Sequence, residues 1–242
     1  MCIIAYRPEN KTISEKTLKT MFENNPDGAG FMYASGGKIY IEKGFFTKES
    51  FIKAYQAIPA DVPCVIHCRI ATHGSVRAGT CHPFPVTHDA ELLNAPELVL
   101  SKGFAVAHNG IIYGMDTSND FSDSQAYVRD VLTPLSKARS LHSKAFKTII
   151  EKTIDNSRLC ILSTSGKVSL FGSGWKVENG IFYSNTSYKP VTYSYSGWHW
   201  DSKRKAYVNN KGKTWGELAE KQIYDDFSVQ ETLNCHNWGE GF

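Results

Sequence analysis

The chain has 242 residues, 41% of them hydrophobic, and a formal net charge of +3 at pH 7. That length and composition suffice for one sizeable core, in one domain or in one domain with an appendage. The mild charge gives no reason to expect a nucleic-acid-binding protein, and no apolar run predicts a membrane span or a signal peptide. The six cysteines are sparse and indicate a reduced, cytoplasmic protein without a disulfide framework.

The first fifty residues alternate between strands and helices. Residues 2–6 form a short β-prone run that begins at a cysteine, and Ser14 is predicted to cap a helix. Residues 31–33 and 38–42 flank a pair of glycines and predict a hairpin. Thr47 is predicted to cap a second helix.

Residues 62–71 predict a buried strand, and residues 87–102 an irregular connection. A strand at 104–108 runs directly into an Asn-Gly pair, and Ser122 begins a capping box that opens a helix. A further helix should cover residues 146–154. The last predicted elements are short strands at 159–163, 167–171, 180–184 and 191–195.

Paired helices beside runs of strands predict an α+β fold with helix-covered sheets, and they argue against a doubly wound βαβ arrangement. The composition changes near residue 196, where aromatic and basic residues precede a capping-box helix at Thr214. We therefore expect a domain over residues 1–195 and an appendage over 196–242. The aromatic and basic segment is interpreted as a surface hairpin rather than a nucleic-acid-binding element.

Cys2 is the first candidate for chemistry. Methionine aminopeptidase removes Met1 when the next side chain is small, and this would leave a thiol and an α-amine on one residue. A thiolate is the reactive form of cysteine, and an α-amine with a pKa near 8 can accept its proton near neutral pH. The alternative is that Cys2 is a small apolar residue at the start of a strand.

A second cluster suggests zinc, because cysteines and histidines are frequent between residues 64 and 82. In a strand, however, Cys64 and Cys68 lie about 13 Å apart, and His67 faces the opposite side. Structural zinc requires ligands that converge. We expect neither a metal nor a cofactor, and a metal site at these residues is the alternative.

Arg69 ends the predicted strand, and its guanidinium can hold a carboxylate through two hydrogen bonds. Thr72 and His73 follow in a glycine-containing loop that can close over a ligand. The alternative for Arg69 is an ordinary ion pair, and for His73 a surface position.

A side-chain amide and a neighbouring backbone N–H are the donors that an oxyanion hole requires, and Asn109 and Gly110 after His108 can supply them. The alternative is a plain Asn-Gly turn. Asp123, in the first turn of a helix, can bind an ammonium group or simply interact with the helix dipole. A thiol, a carboxylate clamp, an oxyanion pair and an ammonium acceptor together fit glutamine.

With these residues the chain resembles a class II glutamine amidotransferase domain of the N-terminal-nucleophile (Ntn) hydrolase superfamily. The resemblance covers roughly residues 1–190 and rests on motifs in the family's order. These motifs are Met1-Cys2, PDGAGF at 26–31, RIATHG at 69–74, HPF at 82–84, AHNGI at 107–111 and SDS at 122–124. The resemblance implies a four-layer αββα sandwich.

The resemblance also implies a mechanism. Cys2 would attack the glutamine amide, with its own α-amine moving the proton, and Asn109 and Gly110 would hold the oxyanion. A glutamyl thioester would form, ammonia would leave, and water would release glutamate.

The remaining matched positions are implied to bind the substrate. Arg69 would hold its α-carboxylate and Asp123 its α-ammonium, while Thr72, His73 and His108 would lie on the substrate side.

The sequence departs from the family at Thr80, where Asn is frequent, and at Ile70, where an aromatic residue commonly follows the arginine. Residues 196–242 are too few for an ammonia-consuming synthase domain, so we expect a separate ammonia-accepting synthase or ligase, as for the short stand-alone members of the family. Two alternatives remain: a related Ntn amidohydrolase that cleaves a γ-glutamyl or other amide, and an inactive binding or regulatory protein on the same scaffold.

Overall fold

The structure is a computed structural model that describes residues 2–71, 76–117, 121–138, 141–190, 198–201, 204, 206–209, 213–214 and 217. The elements of the first half are, in chain order, β1 (Ile3–Arg7), α1 (Glu15–Glu23), β2 (Ala29–Ser35), β3 (Lys38–Phe45), α2 (Lys48–Gln56), β4 (Cys64–Cys68), β5 (Phe84–Pro85), α3 (Ala90–Asn94), β6 (Glu97–Leu100) and β7 (Phe104–Asn109). Those of the second half are α4 (Asp123–Tyr127), α5 (Thr133–Ala138), α6 (Lys144–Thr153), β8 (Arg158–Ser163), β9 (Val168–Phe171), β10 (Lys176–Glu178), β11 (Ile181–Tyr183), β12 (Trp198–Asp201) and β13 (Ala206–Asn209).

The strands form antiparallel sheets, and the fold is α+β. A seven-stranded sheet has the order β10-β11-β1-β4-β2-β3-β6, and a four-stranded sheet has the order β5-β7-β8-β9. The strand that follows Cys2 lies inside the larger sheet, where Ile4 is paired with His67 of β4 and Ala5 with Tyr183 of β11. Cys2 is therefore attached to a strand that has a neighbour on each side.

The sheets and helices pack around three separate hydrophobic cores. Alternate residues of a strand face opposite sides of its sheet, so each sheet can contribute to two of these cores. The first joins one face of the seven-stranded sheet to α1 and α2, and includes Leu18, Phe31 and Phe51. The second lies between the two sheets and includes Ile4 and Cys160.

The third core joins the other face of the four-stranded sheet to the helices that follow it. It contains Val106 and Ile161 from the sheet and Tyr127, Leu132 and Ile150 from the helical segments. None of the described helices is long and apolar enough to cross a bilayer.

The predicted helix starts are confirmed. Ser14 and Thr47 cap α1 and α2 through their hydroxyl groups, and Ser122 forms a reciprocal capping box with Gln125 at the start of α4. The predicted hairpin at Gly36-Gly37 joins β2 and β3. A π-helical turn, Val128–Leu132, separates α4 from α5, and the helical periodicity did not reveal it.

The prediction of an irregular connection over residues 87–102 is wrong. This stretch contains α3, whose first turn donates to the side chain of Asp89, and the edge strand β6, which pairs with β3. The apolar pattern of β6 is only four residues long, and a strand that short is recognisable only from the partner to which it is hydrogen-bonded. The exposed edge strand β10 was missed for the same reason.

The chain divides into two compact units, Met1–Val191 and Thr192–Phe242. In the second unit, β12 and β13 pair as an antiparallel hairpin, as the sequence suggests, and its proposed position at the surface stays a prediction. Thr214 and Glu217 exchange the two hydrogen bonds of a capping box, at 2.7 and 3.3 Å. The strand predicted at 191–195 lies outside the described residues.

Candidate active site

Cys2 lies just before β1, and its thiol contacts the chain segment that follows β4. The Ile70 N–H donates to Cys2 Sγ at 3.4 Å, and the thiol lies 3.5 Å from the Ile70 carbonyl oxygen. The side-chain amide of Asn185 donates to the Cys2 carbonyl at 2.7 Å. Both the side chain and the main chain of Cys2 are therefore held in place.

The surroundings of Cys2 favour a neutral thiol. Burial raises the pKa of the Cys2 thiol, while the hydrogen bond from Ile70 and the charge of Arg69 act in the opposite direction. A thiol in this environment needs a base to remove its proton before it becomes a strong nucleophile.

A cavity of about 260 Å³ adjoins the thiol and contains both predicted oxyanion donors. Its described lining comprises Cys2, Ile70, Asn109, Gly110, Ile111, Tyr113, Asp155, Asn156 and Ser157. The sequence did not single out Tyr113 or residues 155–157, because they come from loops with no motif of their own. Cys2 and Asn109 are brought together although Cys2 precedes a strand of the larger sheet and Asn109 ends a strand of the smaller one.

Gly110 sits in a backbone conformation and a space that other residues do not tolerate. Its φ is +140°, and an added Cβ would overlap the side chain of Ser157. Ser157 itself is buried, and its hydroxyl donates to the Ile111 carbonyl at 3.0 Å. Glycine thus lets this loop pack closely against Ser157 at the cavity wall.

Asn109 ends β7 and is buried, at 2% exposure. Its Nδ2 donates to Ser184 Oγ at 2.8 Å, and Oδ1 has no hydrogen-bond partner among the described residues. Ser184, like Asn185, was not predicted as a site residue, because it is a plain serine after a strand that lies 75 residues further along the chain.

Arg69 is buried and lies beside the cavity without being part of its described lining. Its guanidinium donates to Thr80 Oγ1 at 2.8 Å, so Thr80, one of the two departures noted in the sequence, binds the arginine. The Arg69 backbone exchanges hydrogen bonds with Asp27 and Gly28, at 2.9 and 2.8 Å. Residues of the PDGAGF motif therefore fix the backbone of Arg69 by hydrogen bonds.

Asp123 is the first residue of α4, and its carboxylate accepts two short hydrogen bonds from backbone N–H groups. Those donors are Ile112, at 2.8 Å, and Ser124, also at 2.8 Å. Asp123 does not belong to the described lining of the cavity, although Ile112 directly follows the lining residue Ile111. The carboxylate thus fixes the cavity-forming loop to the helix.

His108 is buried and linked to the same helix by a 2.7 Å hydrogen bond between Nδ1 and Ser124 Oγ. Its ring lies 6.0 Å from that of His82, which lies 4.4 Å from that of His67. Burial lowers the pKa of His108 to about 4 and that of His67 to about 3, and it holds the pKa of His82 well below its ordinary value. All three are therefore neutral near pH 7.

Thr72 and His73, which the sequence places on the substrate side, lie outside the described residues. The face alternation expected for residues 64–68 is present. Cys64 and Cys68 pack in the core against α1 and α2, whereas His67 is stacked on His82. Within the described part of the chain, no group of three or more His, Cys, Asp or Glu side chains can hold a metal ion.

No protein-family model and no curated protein matches the chain. Among solved structures, it is similar to glutamine phosphoribosylpyrophosphate (PRPP) amidotransferase from B. subtilis complexed with ADP and GMP, with 14% sequence identity and a TM-score of 0.47. The alignment covers 76% of this chain and 41% of that protein, so the chain spans about two fifths of the neighbour's length. At this level of similarity, function has to be inferred from the residues of the chain itself.

Proposed function

We propose that the protein is a glutamine amidotransferase subunit that hydrolyses the side-chain amide of glutamine through Cys2. The observation that carries the proposal is the meeting of Cys2, Asn109 and Gly110 at one cavity. Its volume of about 260 Å³ suits an amino acid, since sites for drug-sized ligands range from roughly 300 to 1,000 Å³.

The proposed reaction requires that Met1 be removed, because the nitrogen of Cys2 is otherwise a non-basic amide. The freed α-amine takes the thiol proton as Sγ attacks the amide carbon, which forms a C–S bond and a tetrahedral oxyanion. The Asn109 amide and the Gly110 N–H donate to that oxygen. The raised pKa of the thiol supports the need for this base.

Collapse of the tetrahedral intermediate breaks the C–N bond. The α-ammonium returns its proton to the leaving nitrogen, ammonia departs, and a glutamyl thioester remains on Cys2. A water molecule then gives a proton to the α-amine and attacks the thioester, which releases glutamate and the thiol. We propose that Arg69 binds the substrate carboxylate, that Asp123 binds its ammonium group, and that Thr72, His73 and His108 lie on the substrate side.

We infer that the architecture is a four-layer αββα sandwich of the Ntn-hydrolase type. The three cores support this arrangement. One is packed between helices and the seven-stranded sheet, one between the two sheets, and one between the four-stranded sheet and the helices that follow it. We further propose that the ammonia is used by a separate synthase or ligase, and that residues 196–242 are an appendage to this domain.

A second candidate function is hydrolysis of a different amide by the same nucleophile. It is favoured by one observation: Ile70, Ile111 and Tyr113 line the cavity, whereas Arg69 and Asp123 are absent from its described lining. Apolar walls suit a less polar acyl group than that of glutamine.

The test is trapping of the thioester. Incubation with glutamine and hydroxylamine should yield γ-glutamyl hydroxamate, because hydroxylamine attacks the thioester carbonyl and frees the thiol. Cys2→Ala should yield none, while the matched control Cys160→Ala, which removes a buried thiol between the sheets, should keep the activity. Hydroxamate formed only from other amides would favour the second candidate.

A further inference from the structure

Ser184 directly follows β11 and connects the strand of the nucleophile with the oxyanion residue. Its side chain is fully buried, and its N–H donates to the Ile4 carbonyl at 2.9 Å. Its Oγ accepts from the Ile4 N–H and from Asn109 Nδ2, both at 2.8 Å. Ile4 lies in β1, the strand that directly follows Cys2, and Asn109 belongs to the other sheet. One hydroxyl group therefore links the two sheets.

This arrangement leaves two buried groups unmatched. Asn109 Oδ1 has no partner among the described residues, and the hydroxyl proton of Ser184 has no acceptor there, because both contacts of Oγ are accepted ones. A half-turn of the Asn109 amide exchanges Oδ1 and Nδ2 at almost no steric cost. Ser184 can then donate to Oδ1 while it still accepts from the Ile4 N–H.

The half-turn also changes what Asn109 offers to a substrate. Asn109 lines the cavity, so an oxyanion that forms next to the unpartnered position would be repelled when a carbonyl oxygen occupies it. In the other orientation the same position holds an NH₂ group, which is the donor that an oxyanion requires. The orientation of this amide thus decides whether a carbonyl oxygen or an NH₂ group occupies that position.

We propose that Ser184 is a positioning residue that holds the Asn109 amide with Oδ1 toward its own hydroxyl, so that Nδ2 is presented to the oxyanion. The proposal rests on the proposed function, because it assumes that Cys2 attacks an amide carbonyl. The hydroxyl of Ser184 selects this orientation because its oxygen is already occupied by the Ile4 N–H and its proton needs an acceptor.

A double-mutant cycle tests the proposal. Asn109→Ala should lower kcat by about 10²–10³-fold, as the loss of an oxyanion donor does, and Ser184→Ala by about 10–10²-fold with KM changed less than threefold. In the Asn109→Ala background, Ser184→Ala should cause no further loss, because Ser184 acts through Asn109. Ser184→Thr, which keeps the hydroxyl, should recover most of the rate.

Ser163→Ala is the matched control, since Ser163 is a buried serine at the far end of β8 that bonds Lys167 and Ser165, and it should leave kcat unchanged. Melting temperatures identify variants that fail to fold. If Ser184→Ala does so, Ser184→Cys, similar in shape and a weak donor, replaces it in the cycle. Losses that multiply in the double variant, or a change in KM alone, would overturn the proposal.

The same assay separates this proposal from the proposed function. If the wild-type protein hydrolyses another amide but not glutamine, the substrate assignment fails and the cycle is measured on that amide. If glutamine is hydrolysed and the losses multiply, the function stands and Ser184 has only a structural role. If Cys2 is N-terminal and neither glutamine nor any other amide tested is hydrolysed, both proposals are overturned.

Discussion

The chemistry of this chain depends on how a few side chains around Cys2 are held. The thiol is buried beside Ile70, and burial raises its pKa, so it does not ionise on its own near neutral pH. Asn185 fixes the Cys2 carbonyl, and Ser184 fixes the next residue but one, Ile4. The proposed nucleophile is thus held by hydrogen bonds to its thiol and to its carbonyl, in surroundings that favour the neutral thiol.

Replacement of Gly110 by alanine should destabilise the fold and abolish activity. Alanine at φ +140° is strained, and its Cβ would overlap Ser157, so we expect a cost of about 2 kcal/mol or more in the free energy of unfolding. Chemical denaturation and an amide-hydrolysis assay measure the two effects.

Gly36→Ala is the control for this substitution. Gly36 also has a positive φ, of +56°, but no atom lies within 4 Å of an added Cβ. Gly36→Ala should lower the free energy of unfolding by about 1–2 kcal/mol and leave activity intact. Equal losses of stability for the two variants would show that packing against Ser157 is unimportant. Conversely, combining Gly110→Ala with Ser157→Gly, which removes the overlapping side chain, should restore part of the stability.

Asn185→Asp should reduce kcat while the protein remains folded. Asn185 Nδ2 donates to the Cys2 carbonyl at 2.7 Å, and Oδ1 accepts from the Ser187 N–H at 2.9 Å. Aspartate keeps the second contact but turns the first into a repulsion between two oxygen atoms. Steady-state kinetics should show a fall of about tenfold or more in kcat, by analogy with the loss of one hydrogen bond of about 1.4 kcal/mol. An unchanged kcat would mean that the Cys2 carbonyl does not need this anchor.

Among the secondary-structure elements, α4 matters most to the site because its first residue is Asp123. The helix begins at the capping box of Ser122, and Asp123 binds the Ile112 N–H next to the cavity wall. His108 on β7 is tied to the same turn through Ser124. The start of α4 therefore fixes both the loop after β7 and the proposed ammonium acceptor.

Ser122→Ala should cost about 1 kcal/mol in stability and raise KM, because the first turn of α4 loses its cap. The matched control is Ser143→Ala, which removes the cap of α6, where Ser143 accepts from the Phe146 N–H. That variant should lose similar stability without a change in KM. If both variants change KM equally, the effect comes from general destabilisation and not from the position of Asp123.

The elements that were predicted correctly carry local signals, and those that were missed do not. Ser14, Thr47 and Ser122 predict helix starts correctly because an N-cap residue directly precedes its helix in the sequence. β6 and β10 are short edge strands, whose formation depends on hydrogen bonds to distant chain segments. The π-helical turn was missed for another reason: Thr133 bonds the Val128 carbonyl inside a continuous helical pattern, and the apolar spacing does not distinguish that turn from an α-helix.

The candidate site follows the same rule. Cys2, Asn109 and Gly110 were predicted from motifs, and the structure brings them to one cavity. Ser184 and Asn185 contact the site from a region of the chain more than 70 residues away from Asn109, and no local pattern distinguishes them. The roles of Arg69 and Asp123 stay predictions, since their described contacts are with the protein itself.

At the scale of the whole molecule, the three neutral histidines should make the fold sensitive to acid. Unfolded histidine has a pKa near 6.5, whereas burial lowers that of His108 to about 4 and that of His67 to about 3. Above pH 6.5 both states are neutral, and below it only the unfolded chain gains protons. Stability should therefore fall from about pH 6.5 down toward the folded pKa values, by up to about 1.4 kcal/mol per pH unit for each histidine.

Denaturation at a series of pH values from 7 to 4 measures this dependence. His82→Gln should make it shallower, because the folded state of His82 is also held neutral by burial. The exposed His88→Gln is the matched control. Stability that stays constant between pH 7 and pH 5 would contradict the buried, neutral state of these side chains.

The most direct test of the central claim is glutamate release from glutamine by purified protein, with intact mass recorded on the same sample. We predict that Met1 is absent and that glutamate is released. The Cys2→Ala variant, with the same melting temperature as the wild-type protein, should release none. Folded wild-type protein that retains Met1 and still hydrolyses glutamine, or a Cys2→Ala variant with full activity, would contradict the N-terminal thiol mechanism.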